Sequence, residues 1–141
     1  MRAFLLLLLA ACAARQSAPA SPLVGAWRLA ALEEPGADGK LHAADATGQF
    51  LFTPDGHVSV HVMYREPTAG PSAYSVGGYE GSFGTYRIEP GARTFTFHVE
   101  GALVRSLIGK RLPRAFERVG DKLVVTSTNP EEHWKVTWVR P

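Results

Sequence analysis

Cysteine is almost absent from this chain, since Cys12 is the single cysteine among 141 residues. One thiol cannot form a disulfide within the chain, and zinc modules built on several thiolates are excluded. The folded part must therefore be held together by its hydrophobic core. The composition allows one, because 45% of the residues are hydrophobic and 20% are charged, which is ordinary for a single globular domain.

An excess of charge of one sign is also lacking. The 15 Lys and Arg residues against 13 Asp and Glu residues leave a formal net charge of +2, and the basic residues are scattered singly. A nucleic-acid-binding surface is therefore not expected. We expect no cofactor either, because no glycine-rich phosphate loop or nucleophile elbow is present. His57 and His61 share one face of a predicted strand but lie about 13 Å apart, too far to share a metal ion.

The third absence is a long hydrophobic run. The N-terminal apolar stretch, residues 4–9, is far shorter than the roughly 20 residues of a membrane-spanning helix. It follows Arg2 and precedes two alanines, which is typical of a secretory signal. We therefore expect residues 1–11 to be a signal peptide, residues 12–22, rich in Ala, Ser and Pro, to be a flexible tether, and residues 23–141 to be the folded domain.

The end of the leader, Leu9-Ala10-Ala11-Cys12, resembles the lipobox of bacterial lipoproteins. That resemblance implies cleavage before Cys12 and a diacylglyceryl group on its thiol. Ala13 is not an aspartate of the kind that resembles an inner-membrane retention signal, so outer-membrane anchoring is the expectation. Ordinary signal cleavage after an Ala-x-Ala-like site is the alternative.

Short alternating segments separated by turn formers fill the rest of the chain. In residues 57–64, for example, valines and a tyrosine alternate with His, Ser and Met, as in a strand with one buried face. The predicted strands are 23–29, 48–53, 57–64, 84–89, 93–103, 111–119, 122–128 and 133–140. About eight strands joined by short turns, with no strongly periodic helix, predict an all-β, antiparallel up-and-down barrel.

The first predicted strand places Gly25 and Trp27 on one face, which suits a closed barrel end where a strand bends and an indole covers the floor. The many inward aromatic residues predict a narrow lumen. The residues predicted to line a ligand are Trp27, Phe50, Tyr86, Phe97, Phe116, Trp134 and Trp138.

Arg114 shares a face with Leu112 and Phe116, so its guanidinium is predicted to point into the barrel. A buried cation needs a partner, which could be a carboxylate, carbonyl groups or the anionic end of a ligand. The alternative is a stabilising cation–π contact with Trp27 or Trp138. Arg140 is another candidate for that stacking role.

His98 and Glu100 lie two residues apart on one strand face. If Phe95, Phe97 and Val99 face the core, both polar side chains face water, which is the favoured interpretation. The opposite register would make His98 an internal base oriented by Glu100. That register is the basis of an enzyme hypothesis.

Several segments together resemble the lipocalin-like domain family of small single-domain barrels. The match runs from about Leu23 to Arg140, and its Gly-x-Trp start is also similar to the first strand of lipocalins and fatty-acid-binding proteins. The resemblance implies the fold with more force than the function. The Arg114-x-Phe116 pair is similar to the carboxylate-gripping element of fatty-acid-binding proteins. The segments that carry the resemblance are 23–29, Phe52-Thr53-Pro54-Asp55-Gly56, Gly84-Thr85-Tyr86, His98-Val99-Glu100-Gly101 and Arg114-Ala115-Phe116-Glu117.

The function expected from these features is a lipid-anchored barrel of the cell envelope that binds a small apolar or amphipathic molecule. We expect a monomer that is exported, anchored to the outer membrane and facing the periplasm or the cell surface. One alternative is an isomerase or cyclase that uses His98 and Glu100. The other is a protein-interaction module that docks through the tyrosine-rich loop 65–82.

Overall fold

The alternating segments form nine strands in the computed structural model, which describes residues 21–71 and 73–141. The predicted signal peptide, the predicted lipidation site Cys12 and nearly all of the predicted tether lie outside the described residues. Within the described residues, no helix has the length and hydropathy needed to cross a membrane.

The strands are β1 (Gly25–Pro35), β2 (Leu41–Ala43), β3 (Ala46–Phe52), β4 (His57–Tyr64), β5 (Tyr79–Glu89), β6 (Thr94–Ala102), β7 (Arg111–Val119), β8 (Lys122–Ser127) and β9 (Lys135–Val139). The bounds of β4 and β7 agree with the prediction at both ends, whereas β1 extends six residues beyond its predicted end and β5 begins five residues before its predicted start. A single turn of 3-10 helix, Arg105–Leu107, lies between β6 and β7.

Each strand pairs antiparallel with its neighbour, in the order β2-β1-β3-β4-β5-β6-β7-β8-β9. The sheet closes because β1 also pairs with β9, with Leu29 opposite Trp138. The predicted up-and-down barrel of eight strands is therefore confirmed. Sequence reasoning did not predict β2, a three-residue strand that pairs with the far end of β1.

One face of every barrel strand points inward, as the alternation predicts. In β4 the residues Val58, Val60, Val62 and Tyr64 are buried, whereas Met63 is exposed. Phe50, Phe52 and Phe95 meet across the interior, with ring centroids between 4.3 and 6.3 Å apart. This aromatic core fills the middle of the barrel.

Trp27 closes one end of the barrel. Its side chain is 1% exposed, and its indole N–H donates to the Leu23 carbonyl at 2.7 Å. The Arg140 guanidinium stacks on the ring at 3.8 Å from its centroid. Gly25 has a φ of +124°, and a Cβ there would lie 2.0 Å from Arg140 Nη1. The positive φ favours glycine here, and a Cβ would displace the Arg140 guanidinium from its place on Trp27. The stacking role predicted for Arg140 is confirmed.

Candidate functional site: a cavity opposite Trp27

A cavity of about 90 Å³ lies inside the barrel, on the side away from Trp27. Its wall is mostly apolar, with aromatic and aliphatic side chains from β1 and β3–β9 and from the loop before β5. Among the described residues that line it, the charged ones are Glu34, Glu80 and Arg114. The others are Leu32, Phe50, Val60, Val62, Tyr64, Pro71, Tyr74, Ser82, Phe95, Phe97, Leu107, Leu112, Val125, Trp134, Val136 and Trp138.

Four of the seven predicted aromatic residues lie on this wall, namely Phe50, Phe97, Trp134 and Trp138. Trp27, Tyr86 and Phe116 do not line the cavity, which corrects the prediction that they line the ligand site. Trp27 lies below the cavity as the floor of the barrel.

Tyr86 and Phe116 are held by other contacts. The Tyr86 hydroxyl donates to the Thr53 carbonyl at 3.0 Å, and its ring meets Phe52 edge-on at 5.0 Å. The Phe116 ring packs against Phe95, with centroids 6.1 Å apart. Inward alternation alone cannot separate residues that fill the core from residues that border a void.

Arg114 points into the barrel, as predicted, and is 9% exposed. Its Nη2 donates to the Tyr74 hydroxyl at 3.1 Å, and its Nη1 lies 3.7 Å from the Glu132 carboxylate. The guanidinium also stacks on Trp134, at 5.0 Å from the ring centroid. The Arg114 charge is thus already paired with a carboxylate of the protein itself, that of Glu132. The stacking partner is Trp134, not Trp27 or Trp138.

Glu132 is the centre of this polar group. It accepts hydrogen bonds from the Tyr74 hydroxyl at 2.7 Å and from the Trp134 indole N–H at 3.2 Å. Burial raises the pKa of the Glu132 carboxyl, but hydrogen bonds from Ser127 and Tyr74 and the charge of Arg114 outweigh it, so the pKa is lowered. Glu132 is therefore a carboxylate at neutral pH, and it balances the Arg114 charge.

Glu80 differs from the other cavity carboxylates. It lies on the inner face of β5, two residues before the buried Ser82. Within residues 21–71 and 73–141 its carboxyl group accepts no hydrogen bond. Burial, with a smaller contribution from the charge of Glu34, raises the pKa of Glu80 to about 7 against the opposing charge of Arg114. Glu80 therefore changes its charge near neutral pH.

Glu34 completes the polar part of the wall. Its carboxylate accepts a hydrogen bond from the Tyr64 hydroxyl at 2.5 Å. Burial, together with this bond to Glu34, raises the pKa of the Tyr64 phenol. Tyr64 therefore stays a neutral donor, and one oxygen of Glu34 is occupied.

Sequence reasoning missed Glu34, Tyr64, Glu80 and Glu132 as site residues. Glu80 lies in a part of β5 that was predicted as loop, although Glu80, Ser82, Gly84 and Tyr86 alternate as inward positions of one strand. Extending the predicted strand toward its start would have found it.

His98 and Glu100 lie on the outer face of β6. Phe97 and Val99 are buried and Glu100 is exposed, so the favoured register is confirmed. The internal His/Glu pair of the enzyme hypothesis is wrong, because the strand turns both side chains away from the cavity. Glu100 is also the extra residue of a bulge, since Gly101 pairs with Phe83 and Val99 with Gly84.

A closed antiparallel barrel with an apolar cavity opposite a tryptophan floor defines a lipocalin-like architecture. Residues 24–140 match the model of the lipocalin-like domain family, and the chain belongs to that family. Barrels of this kind generally bind small hydrophobic molecules, so membership supports a ligand-binding barrel.

The fold is also similar to that of a solved structure of an uncharacterised protein from Bacteroides eggerthii. The two chains are 16% identical, with a TM-score of 0.51 over 84% of this chain and 99% of the other. At that identity the likeness concerns the fold alone. None of the curated proteins matches the sequence.

Proposed function

We propose that this chain is a lipid-anchored protein of the cell envelope whose barrel binds a small, mostly apolar molecule. The cavity opposite Trp27 is the observation that carries the proposal. A barrel filled by its own side chains would leave no such space, and would favour the interaction module of the sequence analysis instead.

The composition of the cavity wall supports this function. Small-molecule sites combine apolar and aromatic walls with a few placed polar groups, and here Glu34, Glu80, Ser82 and Arg114 supply the polar groups. The remaining lining side chains contribute apolar or aromatic surface, with Tyr64 and Tyr74 adding a hydroxyl each. Such a wall favours a ligand that is apolar over most of its surface and polar at one end.

The size of the cavity limits the ligand. An apolar cavity of about 150 Å³ takes up benzene, and this one measures about 90 Å³. The enclosed part of the ligand is therefore no larger than a short aliphatic chain or a small ring. Any larger part has to lie in the mouth, beside Tyr74 and Trp134.

Anchoring is the second part of the proposal. It rests on Leu9-Ala10-Ala11-Cys12 and on the Ala-, Ser- and Pro-rich residues that follow. A flexible tether of about ten residues would hold the barrel next to the outer membrane, where apolar molecules concentrate. The expected location is the periplasmic or outer face of that membrane.

Native mass spectrometry of the protein purified from its own membranes tests ligand binding. We expect a co-purifying small molecule that is lost when the cavity is filled by Val125→Phe. Val124→Phe is the matched control, because Val124 is the neighbour of Val125 on the outer face of β8. Melting curves check that both variants fold. A wild-type protein that carries no additional mass and binds no small apolar compound would refute the proposal.

A further inference from the structure

The carboxyl group of Glu80 lies inside the barrel and borders the cavity, with Ser82 as the next inward residue of β5. A hydrogen-bonding or cationic partner would stabilise this carboxylate, because an apolar wall solvates a charge poorly. No described residue supplies that partner. The cavity beside Glu80 is the space from which a partner could come.

The neighbouring charged and titratable groups are already engaged with each other. Arg114 and Tyr74 are bound to Glu132, and the Tyr64 hydroxyl is bound to Glu34. None of these groups donates to Glu80. A ligand that enters the cavity therefore meets the Glu80 carboxylate, which accepts no hydrogen bond from the described residues; the buried indole N–H of Trp138, on the same wall, likewise has no partner.

We propose that the ligand is a small apolar amine and that Glu80 holds its ammonium group. This inference rests on the proposed function and names the class of ligand. An ammonium N–H donates to the Glu80 carboxylate, and the apolar remainder lies against Phe97, Leu112 and Trp138. Ser82, the next inward residue of β5, also lines the cavity and offers a hydroxyl oxygen as an acceptor.

The charges on the wall favour a cation over an anion. Two lining carboxylates, Glu34 and Glu80, stand against one guanidinium, Arg114, which is itself paired with Glu132. An anionic ligand would lie close to both carboxylates and would compete with Glu132 for Arg114. An ammonium is attracted by the same groups, and charge-assisted hydrogen bonds are stronger than neutral ones.

The protonation states of the amine and of Glu80 together make the affinity for the amine depend on pH. Glu80 is ionised above about pH 7 and neutral below it, while an aliphatic amine stays protonated over the same range. The phenols of Tyr64 and Tyr74 stay neutral in this pH range, because burial raises the pKa of each, and the Glu34 carboxylate adds negative charge to the wall. The charges of Arg114 and Glu132 are opposite in sign and offset each other. Amine affinity should therefore fall as the pH is lowered through 7.

Calorimetric titration of the full chain with butylamine, 1-butanol, butyrate and cyclopentane, which match the small cavity, tests the inference. At about pH 8 we expect butylamine to bind about tenfold or more tightly than 1-butanol, and butyrate to bind most weakly. Glu80→Gln should remove the advantage of the amine and leave cyclopentane and 1-butanol within about twofold. Glu100→Gln, an exposed carboxylate on the outside of β6, is the matched control and should change nothing.

A second measurement needs no variant. In the wild type the affinity for butylamine should drop about tenfold or more between about pH 8 and about pH 5.5, with cyclopentane unchanged. Equal binding of all four compounds, or an amine advantage that survives in Glu80→Gln, overturns the amine inference and leaves the apolar cavity intact. Tight butyrate binding that is lost in Arg114→Gln overturns it in favour of an anion. If none of the four compounds binds, the proposed function fails as well.

Discussion

Arg114 and Glu80 are two charged side chains inside one barrel, but the groups that surround them differ. Arg114 has a carboxylate, a phenol and an aromatic face around it. Glu80 has none of these, and burial raises its pKa to about 7. The first arrangement is typical of a group that stabilises the fold, and the second of a group that meets a ligand.

Glu80→Gln should make stability less dependent on pH. Because the folded-state pKa of about 7 lies above the usual 4.5, the folded protein binds the Glu80 proton more tightly than the unfolded chain. The corresponding stability is fully present below about pH 4.5 and is lost as the pH rises through 7, by roughly 3 kcal/mol in total. The difference in stability between Glu80→Gln and wild type should therefore shift in favour of the variant as the pH is raised from about 5 to about 8.

Urea midpoints at the two pH values measure this difference, with Glu100→Gln as the surface control. A constant difference between Glu80→Gln and wild type would mean that Glu80 titrates like an exposed carboxyl group. In that case its carboxylate would be hydrated by water in the cavity.

Arg114→Gln should lower stability without changing which ligands bind. The substitution leaves Glu132 without its cation and removes the stacking on Trp134, so we expect a loss of about 1–3 kcal/mol. Arg111→Gln, an exposed residue of the same strand, should cost less than about 0.5 kcal/mol. Melting curves, together with titrations of an acid and its matching alcohol, measure both effects. A selective loss of the acid in Arg114→Gln would show that the guanidinium grips an anion instead.

At the scale of the elements, β1 decides both the closed end and one wall of the cavity. In the first half of β1, the odd-numbered residues up to Leu29 point inward. Between Leu29 and Ala31 the pairing with β9 shifts by one residue, so Ala30 is the extra residue of a bulge. Beyond it the even residues Leu32 and Glu34 point inward, which brings a carboxylate to the cavity.

Trp27→Ala should destabilise the barrel by about 3–5 kcal/mol, as expected when a buried aromatic ring is replaced by a cavity. The variant also leaves Arg140 without the ring on which it stacks at the β1–β9 closure. Val119→Ala, at a 69% exposed residue near the same end, should cost less than about 0.5 kcal/mol. Urea midpoints of both variants test this, and a loss below about 1 kcal/mol in Trp27→Ala would mean that the indole does not support the floor.

At the scale of the whole molecule, the barrel is closed by strand pairing alone. Every barrel strand has a neighbour on both sides, which removes the exposed edges on which sheets aggregate. No disulfide contributes, because the chain has one cysteine. That cysteine is free for the anchoring role proposed for the N-terminus.

Lipidation is tested by labelling cells with palmitate. The wild-type protein should incorporate the label and fractionate with the outer membrane, whereas Cys12→Ser should do neither, because the thiol is the acceptor. Ser21→Ala, in the tether, is a control that should leave labelling unchanged. Equal labelling of wild type and Cys12→Ser, or a mature N-terminus at another residue, would contradict the proposed anchor.

The barrel could be predicted from the sequence. Alternation with period two, Pro-Asp-Gly and Gly-Asp turns, and the Gly25–Trp27 pair fix the strand order, because antiparallel neighbours joined by short turns have few other ways to pair. The sequence also predicted that Arg114 points inward and favoured the register in which His98 points outward, since one buried face specifies the register.

Which part of the barrel is filled and which is hollow depends on contacts that form only in the folded protein. Trp27, Tyr86 and Phe116 alternate inward like Phe97 and Trp138, yet only the latter two border the cavity. The partners of the buried charges depend on contacts between residues far apart in the chain, such as Arg114 with Tyr74. A bulge at Ala30, which local sequence does not reveal, then turned Glu34 inward to share the cavity with Glu80.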